Sequence, residues 1–334
     1  MACLLPGALS DFFGLECPLG DHRAVADFLV CCRARYGSLE KLATGTVADR
    51  LPSVLQQNWT WRHIQAMARE WLNPDSVLRD AVHNLWFEFD VSRAQSPSFV
   101  PNVFIGSYRL CPPASPCDPH DIGAACTWLT DMALPTLAGR PIAPAVRRQI
   151  ARCLNTLPAG ASLFQVGLML ARDATATRLC ARGLTSPQIV AYLNRVGWPG
   201  TLRSLTEFLE SLHPVVERID LDLDVDEDVS PKIGLECYLG TATTRINKFV
   251  ECLVSEKLCT GPKAGAIASW PGTVPDRPPR SAEPEASPSP AAEMEAPSRA
   301  AFVRRLHHVK LDFQAAAPLR AKAYLGVHHK PGNG

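Results

Sequence analysis

Apolar and polar residues alternate in four pairs of segments: Leu85–Val91 with Val103–Arg109, Phe164–Arg172 with Thr177–Arg182, Ile219–Asp226 with Lys232–Leu239, and Val309–Phe313 with Arg320–Val327. Successive strand side chains point to opposite faces, so this period predicts half-buried strands, and the linkers between partners predict hairpins. The stretches between pairs carry helical spacing. His22–Tyr36 sets Val25, Phe28, Leu29 and Cys32 on one face. Ser38–Gln57, Trp59–Leu72 and Ser76–His83 follow, with Trp61, Ile64, Met67 and Trp71 forming one stripe for core packing. Further helices are predicted at Asp121–Leu134, Ala143–Leu157, Ser186–Val196, Thr201–Leu212, Thr244–Cys259 and Pro262–Trp270. Ser186 is placed to cap its helix, with Pro187 at the first helical position.

The pattern predicts an α/β (α+β) fold: antiparallel hairpins repeated with helix pairs, in one domain over 1–334. Residues 1–84 read as a helical segment, and 85–271 and 301–328 as the repeats. Residues 272–300 are rich in Pro, Ser, Ala and Glu and poor in aliphatic side chains, so they are expected to be disordered. A lone hairpin beyond them cannot stand as a domain, which makes the tract an insertion in a loop.

Sorting the strands by face gives one apolar side and one polar side. Trp86, Glu88 and Asp90 share the polar side with Asn102, Phe104, Gly106 and Tyr108. Arg178, Cys180 and Arg182 join them, as do Asp220, Asp222 and Asp224 with Lys232, Gly234, Glu236 and Tyr238. The last pair adds His308, Lys310 and Asp312, then Arg320, Lys322 and Tyr324. Two arrangements fit. In an open sheet these groups meet solvent; in a barrel clad by helices they line a lumen.

Bulk properties narrow the partners. The chain has 334 residues, 46% of them hydrophobic and 20% charged, with a formal net charge of +1, so no global field recruits nucleic acid or an anionic membrane. The apolar N-terminus lacks a basic region and is interrupted by Pro6 and Asp11, unlike a signal peptide. No apolar run reaches the roughly 18 residues of a membrane helix. Twelve dispersed cysteines without a CxxC pair read as reduced, mostly buried thiols, which suggests a cytoplasmic protein rather than a disulfide framework or zinc site. Oligomeric state is not legible.

The acidic run Asp220–Asp228 alternates like a strand, with carboxylates about 7 Å apart along one face, so a solvated strand face or turn is favoured over a metal site. The pairs His307–His308 and His328–His329 split between faces and form no ready chelate.

Three segments carry a resemblance. LWFEFD holds Glu88, SPKIGLECYLG holds Lys232 and Tyr238, and RAKAYLGV holds Arg320, Lys322 and Tyr324. Together with the hairpin–helix repeat they resemble the ABBA-type barrel of soluble aromatic prenyltransferases, which includes indole, phenol and cyanobactin-peptide enzymes. That family has five hairpins; four are visible here. The resemblance implies a closed barrel with helices outside, and transfer of a prenyl group from an isoprenoid diphosphate to an aromatic or peptide acceptor in specialised metabolism. It implies Glu88 as the general base and no dependence on an Asp-rich magnesium motif, so magnesium is possible but not required.

The chemistry asks for cationic and phenolic donors around the leaving diphosphate. Candidates are Arg109, Arg178, Arg182, Lys232, Tyr238, Lys310, Arg320, Lys322 and Tyr324. Trp86 and Phe104 are candidates to shield an allyl cation. The competing reading is a non-catalytic peptide-binding or scaffold protein with an exposed polar face.

Overall fold

A hairpin, not a helix, begins the described chain. In the computed structural model Phe12–Pro18 (β1) and Asp27–Arg33 (β2) pair antiparallel, with Glu16 opposite Asp27. The structure describes residues 12–33, 37–45, 58–91, 100–111, 124–172, 176–276, 300–314 and 317–330. The expected helix over His22–Tyr36, and with it a wholly helical 1–84 segment, is thereby corrected. Val30 and Cys32 pack into the outer core, while Leu29 and Cys31 on the other face are buried as well. A strand buried on both faces reads as a continuous apolar run, which periodicity cannot separate from a helix.

Helices α1 (Ser38–Thr44), α2 (Trp59–Leu72) and α3 (Leu78–Ala81) lead to β3 (Asn84–Phe89) and β4 (Asn102–Leu110). The helix expected to Gln57 is described only to Thr44, where left-handed Gly45 closes it; 46–57 lie outside the described residues. Next, α4 (Ala124–Thr127) runs through a π-helical turn at Trp128–Ala133 into α5 (Leu134–Ala138), past the expected end at Leu134. Then come α6 (Pro144–Asn155), β5 (Ser162–Leu168), β6 (Thr177–Arg182), α7 (Ser186–Val196) and α8 (Leu202–Leu212). Thr185, not Ser186, caps α7, in a reciprocal box with Gln188. The chain ends with β7 (Arg218–Val225), β8 (Val229–Tyr238), α9 (Thr243–Ser255), α10 (Gly261–Ser269), β9 (Gly272–Pro275), β10 (Ala301–Phe313) and β11 (Arg320–Lys330).

Strands β1 to β8 pair with their sequence neighbours, β8 pairs with β10, and β11 joins β10 to β1. Ten antiparallel strands therefore close a barrel with helices around it. The fifth hairpin is β1–β2. Strand β9 lies outside the ring, on the first residues of β10, so the tract expected to be disordered starts as a strand; 277–299 lie outside the described residues.

The apolar face of the barrel meets the helices. Leu85, Phe87, Val103, Ile105, Leu221, Leu235 and Leu311 pack with Trp61, Ile64, Met67 and Trp71 of α2, and with Ile150, Tyr192, Leu209 and Phe249, in one core. Both stripe tryptophans are core residues as expected, whereas Trp59 is largely exposed. Most of the described cysteines are buried. Among the described residues no helix is long and apolar enough to cross a membrane.

Candidate active site in the barrel lumen

With its outer face committed to the helices, the sheet turns its other face inward. That face encloses a cavity of about 280 Å³. Its wall includes Trp86, Glu88, Phe104, Arg178, Arg182, Tyr238, Lys310 and Tyr324. Eight of the sequence candidates thus converge. The run Asp220–Asp224 is not a solvated face: Asp220 and Asp222 are buried in the same wall.

Four candidates lie elsewhere. Arg109 follows a register shift in β4 between Gly106 and Leu110, points outward, and stands 3.7 Å from Asp80. Arg320 is exposed at the first position of β11, the end of the barrel. Lys232 lines a separate small hollow with Arg178, Asp224 and Asp312. Lys322 is inside the barrel, but its ammonium is bonded to Glu16 rather than to the cavity.

Lumen cations are matched by carboxylates. Lys310 is paired with Asp222, and Arg178 donates to Asp224 from Nε at 2.7 Å and from Nη2 at 2.9 Å. Burial would raise the Asp224 carboxyl, but this two-point contact holds it below its ordinary value. Arg172 sits just past β5 and reaches back to Glu88 and to both oxygens of Asp90. Burial and the Glu16 charge push the Glu88 carboxyl up against the pull of Arg172. Glu16 itself accepts from Lys322 and Tyr324; burial opposes its ionisation, yet these partners hold it down to about 2. Arg182 forms no ion pair with a carboxylate among the described residues. Its guanidinium lies between the rings of Phe164 and Tyr108, 5.3 and 5.7 Å from their centroids.

Two glycines make this packing possible. A Cβ at Gly167 would fall 2.3 Å from the ring of Phe104, and one at Gly234 would fall 2.4 Å from Cε of Lys310. Absent side chains on β5 and β8 leave the room that the Phe104 ring and the Lys310 ammonium occupy.

Several lumen residues were missed by sequence reasoning. Glu16 and Phe12 belong to the hairpin mistaken for other structure, although FFGLECP does alternate. Arg172 was placed on a strand that ends at Leu168. Arg218 stands one residue before the predicted strand, over the Tyr238 ring at 3.8 Å. His308, which alternation does place on the polar side, shares a hydrogen bond between Nδ1 atoms with His307 at 2.8 Å and stacks on Tyr324. Burial pushes His308 down to about 3, so it is neutral.

The barrel has the ABBA architecture of soluble aromatic prenyltransferases. Among solved structures it resembles the prenyltransferase PriB in its apo form, at 14% identity over 96% of this chain and 82% of that one, with a TM-score of 0.52. It also resembles 5-dimethylallyltryptophan synthase from Streptomyces coelicolor (16% identity, 97% and 84% covered, TM-score 0.43) and AnaPT from Neosartorya fischeri (13% identity, 96% and 78% covered, TM-score 0.47). No protein-family model and no curated protein matches the chain. At these identities the likeness is one of fold.

Proposed function

We propose that this chain transfers a prenyl group from an isoprenoid diphosphate to an aromatic or peptide acceptor. The observation that carries this reading is the barrel lumen itself, where Arg178, Arg182, Arg218 and Lys310 meet Tyr238, Tyr324, Trp86 and Phe104 around one cavity. In the reaction the C1–O bond of the donor breaks, diphosphate leaves with the electron pair, and an acceptor atom bonds to C1. The cations and phenols receive the diphosphate, and the aromatic rings flank the allylic carbon.

Carboxylates already engage most of these cations, so donor affinity should depend strongly on Arg182. Arg182→Gln is expected to weaken binding of dimethylallyl diphosphate by about 10–100-fold, the worth of a charge-assisted contact, without lowering thermal stability. Calorimetry checks the affinity. Turnover is tested with dimethylallyl, geranyl and farnesyl diphosphates against indole, phenol and peptide acceptors, with and without magnesium. Absence of both donor binding and prenylated product would overturn the reading.

Cavity size orders the donors. About 280 Å³ is near the lower end of ligand pockets, roughly 300–1,000 Å³. The five-carbon donor should therefore be used best. Trp86→Ala removes the ring that meets Phe12 edge-on at 5.3 Å and should raise the geranyl-to-dimethylallyl ratio of kcat/KM about tenfold. An unchanged ratio would mean that Trp86 does not bound the donor.

A further inference from the structure

Asp220 and Glu236 stand directly opposite each other on β7 and β8. Both line the cavity and both are buried, at 1% and 7% exposure. Like charges at directly opposed positions of an antiparallel pair, with Cβ atoms about 4.5–5.5 Å apart, repel. Elsewhere in the lumen Glu16, Glu88, Asp90, Asp222 and Asp224 each accept from a Lys or Arg side chain. The Asp220–Glu236 pair is less committed. Its cation, Arg218, is half exposed and pairs with Asp220 Oδ1 at 3.0 Å without hydrogen-bond geometry, and no donor among the described residues makes a hydrogen bond to that oxygen. Glu236 accepts from the Tyr238 hydroxyl at 2.9 Å, and His308 Nε2 is 3.7 Å away, too far for a direct bond.

We propose that the cross-strand carboxyl pair Asp220–Glu236 takes the proton that the acceptor loses in the transfer step. The inference rests on the prenyl-transfer reading above. When an acceptor carbon bonds to C1 of the donor, the C1–O pair leaves with diphosphate and the ring becomes cationic. The C–H electron pair then restores aromaticity, and the proton passes to a carboxylate oxygen of the pair and from there to water. His308, whose Nε2 stands 3.7 Å from Glu236, is hydrogen-bonded to the exposed His307. Glu88, the base that the resemblance implies, accepts from Arg172, a contact that protonation would weaken.

The surroundings let Asp220 hold a proton near neutrality. Burial pushes the Asp220 carboxyl up to about 7; Arg218 opposes this and the Glu236 charge adds to it. The groups facing the pair are Arg218 and Asp222 on β7, Arg182 on β6, Tyr238 on β8, and His307, His308 and Lys310 on β10.

The test uses the full chain with dimethylallyl diphosphate and the acceptor from the panel that gives most product. Asp220→Asn and Glu236→Gln are each expected to lower kcat by about 10²–10⁴-fold and to abolish the limb of the kcat–pH profile near neutrality. Affinity for dimethylallyl diphosphate should stay within about threefold, a smaller change than a lost charge-assisted contact would cause. Glu88→Gln should keep the limb. If wild type forms product and Asp220→Asn retains both kcat and the limb, the pair is not the acceptor and prenyl transfer still stands. If Glu88→Gln alone removes the limb, Glu88 is the base and the proposal is overturned. If wild type yields no product with any acceptor, both readings fall together. Carboxyl titration of ¹³C-Asp-labelled protein, expected to give a signal near pH 7 that Asp220→Asn removes, checks the pair without turnover.

Discussion

Lys310→Met should destabilise the fold by about 3–5 kcal/mol, because it removes one partner of a buried ion pair and strands the other. The Lys310 and Asp222 side chains are 6% and 4% exposed, and their contact passes over Gly234 of β8, the strand between β10 and β7. Burial alone would lower the Lys310 ammonium, but Asp222 holds it above its ordinary value. Without Lys310, Asp222 keeps one carboxylate oxygen that already lacks a hydrogen bond among the described residues, beside a second carboxylate at Glu236. Lys310→Met/Asp222→Asn should recover at least half of the loss, since charge leaves from both sides. Urea unfolding of the four proteins in the cycle measures the coupling. The sign with pH is fixed too. An Asp222 carboxyl raised by burial contributes stability below its unfolded value and loses it as pH rises, so the Lys310→Met deficit should be smaller at pH 5 than at pH 8. A single-variant loss below about 1 kcal/mol, the range of an exposed pair, would mean that water reaches this contact.

Asp220→Asn is expected to stabilise the protein, and to do so only at neutral and alkaline pH. The folded state holds Asp220 at about 7 against an ordinary 3.8. A carboxyl raised on folding contributes fully below its unfolded value, and that contribution disappears as pH rises through the folded value. The asparagine variant should therefore exceed wild type at pH 8 by on the order of 3 kcal/mol, with the gap closing towards pH 4. His308 acts in the opposite direction. Held at about 3 by burial, it stays neutral in the fold, so its contribution is present above its ordinary 6.5 and is lost as pH falls. Melting temperatures of both proteins at pH 4.5, 6 and 8 read the difference. A gap that does not change with pH would exclude a raised Asp220. The same variant is expected to lose turnover, so a gain in stability beside a loss of activity would separate a reacting group from a structural one.

Stability and chemistry draw on the same lumen charges. Lys322 and Tyr324 stabilise Glu16, and Arg172 spans Glu88 and Asp90, so one carboxylate cluster ties β1 to its neighbour β11 and the other ties the end of β5 to the β3 end of the wall. Asp220, Glu236 and Arg182 are less tightly engaged and border the cavity. That division marks where a ligand meets least competition.

Sequence alone determined the local facts. Alternation set which residues of β3, β7, β8, β10 and β11 face the core and which face the polar side, because strand period depends on nothing beyond neighbouring residues. The helical stripe of α2 was legible for the same reason. Tertiary structure decided everything that needs two distant segments. The β1–β2 hairpin escaped because Asp27–Arg33 is buried on both faces, and an apolar run carries no period. Closure followed from β1 pairing with β11 at the far end of the chain, a contact that no local pattern encodes. The charge partners were hidden likewise: Lys322 with Glu16, Arg172 with Glu88, and Lys310 with Asp222 are each brought together by the ring. Sequence could name the polar residues of the strands. Whether each became a partnered structural charge or a group open to the cavity depended on what the closed barrel set opposite it.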